Sequence, residues 1–271
     1  MKIGIAGLGL IGGSLAYALR SAHEVRGYDV GRETREAARA AGLSVVDTLE
    51  ALLPADAVIV ATPMSAVLPA LAALAPRAGS AVLLDVASVR GPVDTFARSQ
   101  AGGARLVGMH PMTGRSTQGF ASADPAMLIG RAFLVVPTAT SDAPAMATAG
   151  EVARAAGGVV TVCSAVEHDR IVALVSALPL ALAAALAIAV SDGAIDLATF
   201  AGPGYRDTTR LALTAPDLAE PILLANSGNV VAAIARLRTV LDDLERAVAS
   251  RDAARLRELL ERAAQARAVL G

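Results

Sequence analysis

The stretch KIGIAGLGLIGGS, residues 2–14, decides the fold. Residues 2–7 are a short apolar run of strand length. Gly7, Gly9 and Gly12 then fall in the spacing G-x-G-x-x-G, and Gly13-Ser14 opens a helix. Glycine makes up 24 of 271 residues, so the spacing alone is a weak signal. A strand before it and a helix after it make it specific, because each glycine then has a task. Gly7 permits a tight turn, Gly9 lets backbone approach a pyrophosphate, and Gly12 lets the helix pack close on the strand. The helix N-terminus, with Leu10 and Ile11 in its first turn, attracts the anion.

Outward from this loop, Asp29 ends the next β-rich run, residues 24–29. A carboxylate there accepts hydrogen bonds from adenosine ribose hydroxyls and repels a 2′-phosphate. That favours NAD, while Arg32 and Arg35 just beyond keep NADP open. Further strand-like runs at 57–62, 81–86, 105–110, 133–138 and 157–164 alternate with helical stretches such as 12–21, 32–41 and 65–75. Apolar strands alternating with helices imply an α/β fold, a Rossmann-type doubly wound parallel sheet covered on both faces.

After about residue 165 the strand signals stop. A helical pattern covers 166–190, interrupted by Pro179; residues 200–213 read as a loop leading into a helix; helices follow at about 227–249 and 252–269. The boundary therefore falls near 164, with a dinucleotide-binding domain over 1–164 and an all-helical substrate and dimerisation domain over 165–271. The run 171–190 is long enough to cross a membrane. It is rich in alanine and contains Pro179, and a helix apolar all round also suits a large core or a subunit interface. Burial between the two subunits of a homodimer is the reading preferred.

Lys+Arg number 24 and Asp+Glu 25, which argues against nucleic-acid or anionic-membrane partners. The single cysteine, Cys163, allows no intrachain disulfide and suits a reducing cytosol. The first residues lack the charged and apolar regions of a secretory signal, so a cytoplasmic protein is expected. Lys2 is the only lysine, which excludes any mechanism needing a lysine in the body of the chain. No metal-ligand cluster is evident in the sequence.

Ligands of such sheets bind outside the carboxyl ends of the strands. Three motifs fall there: ATPMSAV (61–67) with Thr62 and Pro63, DVASVR (85–90) with the hydroxyl of Ser88 and the cation of Arg90, and GMHPMTG (108–114) with His110. A lone histidine is usually a satisfied core residue, but this one stands at a strand end, which argues for handling a proton. Arg206 and Arg210, four apart in YRDTTR, share a face if the segment is helical. An arginine fork suits a carboxylate; surface salt bridges to Asp207 or Asp217 are the plainer alternative. His23 lies in a polar turn and reads as solvated.

GLGLIGGS, DVASVR, HPMTG, EHDRIVALVSALP and GYRDTTRLA occur in this order. Over essentially the whole chain the sequence resembles the prephenate/arogenate dehydrogenase family of tyrosine biosynthesis. The resemblance implies NAD(P)-dependent oxidative decarboxylation of a cyclohexadienyl substrate. Hydride leaves the ring carbon bearing the hydroxyl, carbon dioxide departs, and the ring becomes aromatic, so no metal is required. His110 would accept the hydroxyl proton, as suits a neutral imidazole. Ser88 would orient the imidazole or the hydroxyl and also sit at the cofactor. Arg210 would bind a substrate carboxylate, with Thr113, Gly114 and Arg115 beside it. His168 matches the family too, at a helix start where a structural role is equally open.

The match breaks where members that use prephenate commonly read S-H-x-P-H. Here the stretch is SALPL, with Ala177 and Leu180 in place of imidazoles. The glutamate often found shortly after HPM-x-G is also replaced, the stretch being RSTQG with Arg115 and Ser116. The substrate thus stays open among prephenate, arogenate and a 4-amino-4-deoxyprephenate-like acid of secondary metabolism. The chain ends soon after its last helices, so no regulatory ACT-type domain is expected and any feedback inhibition would act at the active site. A β-hydroxyacid dehydrogenase needs a catalytic lysine that this chain lacks. A catalytically silent NAD-binding sensor is suggested by the missing imidazoles and opposed by His110, Ser88 and Arg210.

Overall fold

The computed structural model describes residues 1–99, 103–115, 117–191 and 197–269. Its centre is an eight-stranded sheet in the order β3-β2-β1-β4-β5-β6-β7-β8. The strands are β1 Lys2–Ala6, β2 Glu24–Tyr28, β3 Ser44–Val45, β4 Ala57–Val60, β5 Val82–Asp85, β6 Arg105–Pro111, β7 Ala132–Pro137 and β8 Val159–Val162. Every expected strand is present. The sequence missed β3, whose two residues pair with Arg26 and Gly27 and are too few to show periodicity.

Helices α1 (Leu10–Leu19) and α5 (Ala143–Ala155) lie against one core, and α3 (Met64–Leu74) and α4 (Gly91–Ser99) against the other. Leu15, Leu19, Ala149 and Val152 fill the first; Val67, Leu71, Leu74 and Val93 fill the second. Central strands such as β4 are buried along their whole length, as a sheet covered on both faces requires. Helix α2 spans Arg32–Ala40.

One pairing departs from the expected parallel sheet. β7 runs antiparallel to β6, with His110 opposite Leu134 and Pro111 opposite Phe133. The described part of the connection between them holds two short 3-10 turns, Phe120–Ser122 and Pro125–Leu128, and no crossover helix. The chain thus stays at the carboxyl end of β6 and must turn back.

Beyond β8, a capping box of Ser164 and Glu167 starts α6 (Ala165–Val172). A π-helical turn over Ala173–Ala177 follows, and then α7 (Leu178–Ser191). Pro179 does not end the helix as expected. It has no N–H for the carbonyl four residues back, and the wider turn just before it accommodates that loss. Helices α8 (Leu197–Phe200), α9 (Pro203–Thr209) and α10 (Pro216–Ala225) complete a compact unit ending at Asn226. A second unit begins at Ser227 and consists of α11 (Ser227–Ala249) paired with α12 (Ala253–Ala268), whose N-terminus Asp252 caps.

Candidate active site

The glycine loop has the geometry that its spacing implied. Gly7 has φ +93°, and a Cβ there would stand 2.6 Å from the Ala61 carbonyl oxygen. A Cβ on Gly12 would stand 1.8 Å from the Gly7 oxygen. Nothing lies within 4 Å of a Cβ on Gly9, so open space faces the loop where a phosphate must come. Leu10 and Ile11 begin α1 there, both partly buried. The Asp29 carboxylate accepts from the amides of Leu8 and Gly31, each at 2.8 Å, which fixes it beside the loop. Thr62 brings a buried hydroxyl with no partner among the described residues, and Pro63 precedes α3 as its N-cap. Arg35 donates to the carbonyls of Asp29 and Val30 at 2.7 and 3.0 Å, and Arg32 to Glu36 at 2.7 Å. Both arginines are thus engaged within the chain. An open phosphate cradle, a carboxylate fixed beside it just after β2 and an orphaned hydroxyl fit NAD.

At the carboxyl end of β5 the structure corrects one expectation. Arg90 is no free cation. It is fully buried and paired with Asp85, through Nη1 to Oδ1 and through Nη2 to Oδ2 at 2.7 Å. Burial opposes its charge, but the attraction and hydrogen bonds of Asp85 outweigh this and raise its pKa. Arg90 therefore shapes the turn that carries Ser88.

His110 lies near the end of β6. Its Nδ1 is 3.0 Å from Nε2 of His168, whose own Nδ1 is 2.8 Å from Asp169 Oδ1. Asp169 also accepts from the amides of Arg90 at 2.7 Å and Gly91 at 2.8 Å. Burial pushes the Asp169 carboxyl up, but the His168 hydrogen bond and these two amides hold it below the ordinary carboxylate range. His110 is driven the other way. Burial first, then the electrostatic influence of His168 and of the Arg90 cation, lower its pKa from 6.5 to about 3, with Asp169 opposing. Its imidazole is therefore neutral at pH 7.

A cavity of about 570 Å³ opens beside His110. Ser88, Thr113, Gly114, Arg115 and Arg210 are among the residues that line it. Thr113 donates to the Met127 carbonyl at 3.0 Å, and Arg115 pairs with Asp124 at 2.6 Å. Arg206 does not line the cavity; its Nε donates to the Ala201 carbonyl at 3.2 Å. The shared helical face is lost because α9 stops at Thr209 and a 3-10 turn, Arg210–Leu213, takes over. Ala177 forms buried wall, whereas Leu180 stays outside. His23 is not the solvated residue expected: it is half-buried, with Nδ1 3.4 Å from the Met1 amino group and Nε2 enclosed without a partner among the described residues. Ser116 lies outside the described residues.

Sequence reasoning missed Arg131, which lines the cavity through the unforeseen turn-back into β7, next to β6. No motif marks it. Asp169 was also missed, although its place directly after His168 was a usable signal. Asn226 lines the cavity, and its side chain donates to the Asp169 carbonyl at 2.7 Å.

The model of the prephenate dehydrogenase nucleotide-binding domain matches residues 15–162, and that of the prephenate dehydrogenase dimerization domain matches 164–262. Cyclohexadienyl dehydrogenase of Zymomonas mobilis is 29% identical over 279 residues, covering 99% of this chain and 95% of that one. Prephenate dehydrogenase of Bacillus subtilis is 29% identical over 241 residues, 84% of this chain but 64% of that longer one. Among solved structures, prephenate dehydrogenase from A. aeolicus in complex with hydroxyphenyl propionate and NAD+ superposes with TM-score 0.92 at 26% identity, covering 99% of this chain and 98% of that one. Synechocystis arogenate dehydrogenase gives 0.85 at 28% identity, with both chains covered in full. Two adjoining family models span a nucleotide-binding fold and the helices that complete its cavity, and the chain belongs to the prephenate dehydrogenase family.

Proposed function

We propose that this chain catalyses NAD-dependent oxidative decarboxylation of prephenate, giving a 4-hydroxyphenyl product for tyrosine biosynthesis. The observation that carries the reading is the placement of His110. Its Nδ1 is taken by His168, so Nε2 is the nitrogen left for a ligand in the cavity it lines. A neutral imidazole there can take the proton of a substrate hydroxyl. Ser88, on the same wall, has a hydroxyl with no partner among the described residues and can orient that oxygen. NAD, when bound, accepts the hydride. Loss of carbon dioxide then leaves its electron pair in the ring, which becomes aromatic, and the oxygen recovers a proton.

Charge supports prephenate over its amino counterpart. The cavity is lined by Arg115, Arg131 and Arg210, and no carboxylate is among its described lining residues. Asp124 pairs with Arg115, whereas the described residues leave the guanidinium groups of Arg131 and Arg210 without a partner. Two uncommitted guanidinium groups suit a substrate with two carboxylates. The ammonium of arogenate would meet only like charge. Ala177 offers no hydrogen bond to a side-chain keto group, so the arginines supply the charge that recognises the substrate.

The same reading takes residues 1–164 as the dinucleotide-binding domain and 165–271 as the substrate and dimerisation domain of a cytoplasmic homodimer. The helix over Ala165–Ser191 is long and apolar enough to cross a membrane. Its first turns, however, bury His168 and Asp169 against the Arg90 turn. Leu182 and Ile188 remain 37% and 63% exposed, and a second copy would cover them. NADH formation measured side by side with prephenate, arogenate and 4-amino-4-deoxyprephenate tests the reading. Fastest turnover of prephenate is expected. Preference for an amino acid overturns the substrate, and binding of NAD without turnover of any of the three favours a silent sensor.

A further inference from the structure

His168 is fully enclosed and does not line the cavity, yet both of its ring nitrogens are engaged. Asp169, on its far side, gathers three N–H groups: His168 Nδ1 and the amides of Arg90 and Gly91. An ionised carboxylate can only accept, so the His168 proton sits on Nδ1 and its Nε2 is an acceptor. That acceptor faces His110 Nδ1 at 3.0 Å, which must then carry the proton. Three side chains thus set one tautomer, in which His110 Nε2 presents a lone pair. A structural role alone would not require this direction. Either nitrogen of a buried histidine is satisfied by any acceptor, whereas this chain starts at a fixed anion and ends at the cavity.

We propose that His168 and Asp169 are positioning residues that form a proton relay with His110. The inference rests on the reading of His110 as proton acceptor. As the hydride leaves the ring carbon for NAD, the substrate O–H bond breaks and an N–H bond forms at His110 Nε2. The Nδ1–H bond of His110 breaks in turn, and a new bond forms at His168 Nε2. Asp169 balances the imidazolium so produced through the Nδ1–H it already holds. Carbon dioxide then departs with its C–C bond electrons left in the ring. The oxygen takes a proton back from His110, and the relay returns to its starting state. No proton is released to water in the chemical step. The charge moves away from the cavity lined by Arg115, Arg131 and Arg210, and towards the carboxylate on the far side of His168.

Single-turnover rates in mixtures of light and heavy water test this with prephenate and saturating NAD. Two protons moving together give the wild-type chain a bowed dependence on deuterium fraction. His168→Gln keeps an acceptor for His110 Nδ1 but cannot take up a proton. Its plot is expected to be linear, its rate about 100-fold lower, and its Kd for NAD within about twofold of wild type. His168→Leu, which also loses the acceptor, should be slower still. A linear wild-type plot, which needs no variant and so does not depend on folding, overturns the relay. So does a His168→Gln rate equal to wild type. Absence of wild-type turnover with any cyclohexadienyl acid overturns the functional reading, and the relay with it.

Discussion

The guanidinium of Arg90 lies directly over Gly108: a Cβ added at Gly108 would stand 2.5 Å from Arg90 Cζ. The guanidinium cannot withdraw, because it is fully buried and doubly bonded to Asp85. Gly108→Ala therefore forces the ion pair apart or displaces β6, two residues before His110. Overpacking of this kind costs about 2–3 kcal/mol, read as a lowered midpoint in urea unfolding. Asp85→Asn should cost more, about 3–5 kcal/mol, because it leaves Arg90 buried without its counter-charge.

Stability should fall with acid in a window set by His110. Its folded pKa of about 3 lies below the ordinary 6.5, so the unfolded chain binds the extra proton first. Stability contributed by the neutral ring is whole above about pH 6.5 and is lost progressively as pH falls towards 3. Urea midpoints measured across that range should drop for wild type, with a shallower fall in His110→Asn. Equal slopes in the two proteins would count against burial of a neutral imidazole.

Arg131→Ala should raise KM for prephenate about tenfold, the loss of one charge-assisted hydrogen bond, with KM for NAD unchanged. Initial rates at varied prephenate read this directly. Arg131→Glu should narrow the gap between prephenate and arogenate by attracting the ammonium. No change of preference would place Arg131 outside the recognition site.

Asp29→Asn removes the charge that repels a 2′-phosphate but keeps an acceptor for Leu8 or Gly31. NADP should gain on NAD by about tenfold in kcat/KM. Arg32 and Arg35 are held by Glu36 and by the Asp29 and Val30 carbonyls, so the gain should stop short of reversal.

What was legible in the sequence was what is local. The glycine loop, Asp29 and the strand-end placement of His110 each depend on a few neighbouring residues and the strand or helix they sit in. Pairings made at long range were not legible. The turn-back into β7 depends on the segment after Pro111 staying at one end of the sheet, and neither β6 nor β7 carries a mark of that. It brings Arg131 to the cavity wall. Arg90 read as an available cation because its partner, Asp85, sits at a strand end where exposure is the ordinary expectation. Arg206 and Arg210 read as one face because spacing cannot show an α-helix tightening to 3-10 geometry at Arg210.

The central claim is that His110 accepts the substrate's proton in the cavity where the hydride is lost. Single-turnover NADH formation by His110→Asn, measured alongside its Kd for NAD and for prephenate, tests this most directly. The account predicts a rate loss of 100-fold to 10,000-fold, on the order expected for a general base, with both dissociation constants within about threefold of wild type. A variant that forms NADH at the wild-type rate, or that loses NAD binding as much as rate, would contradict it.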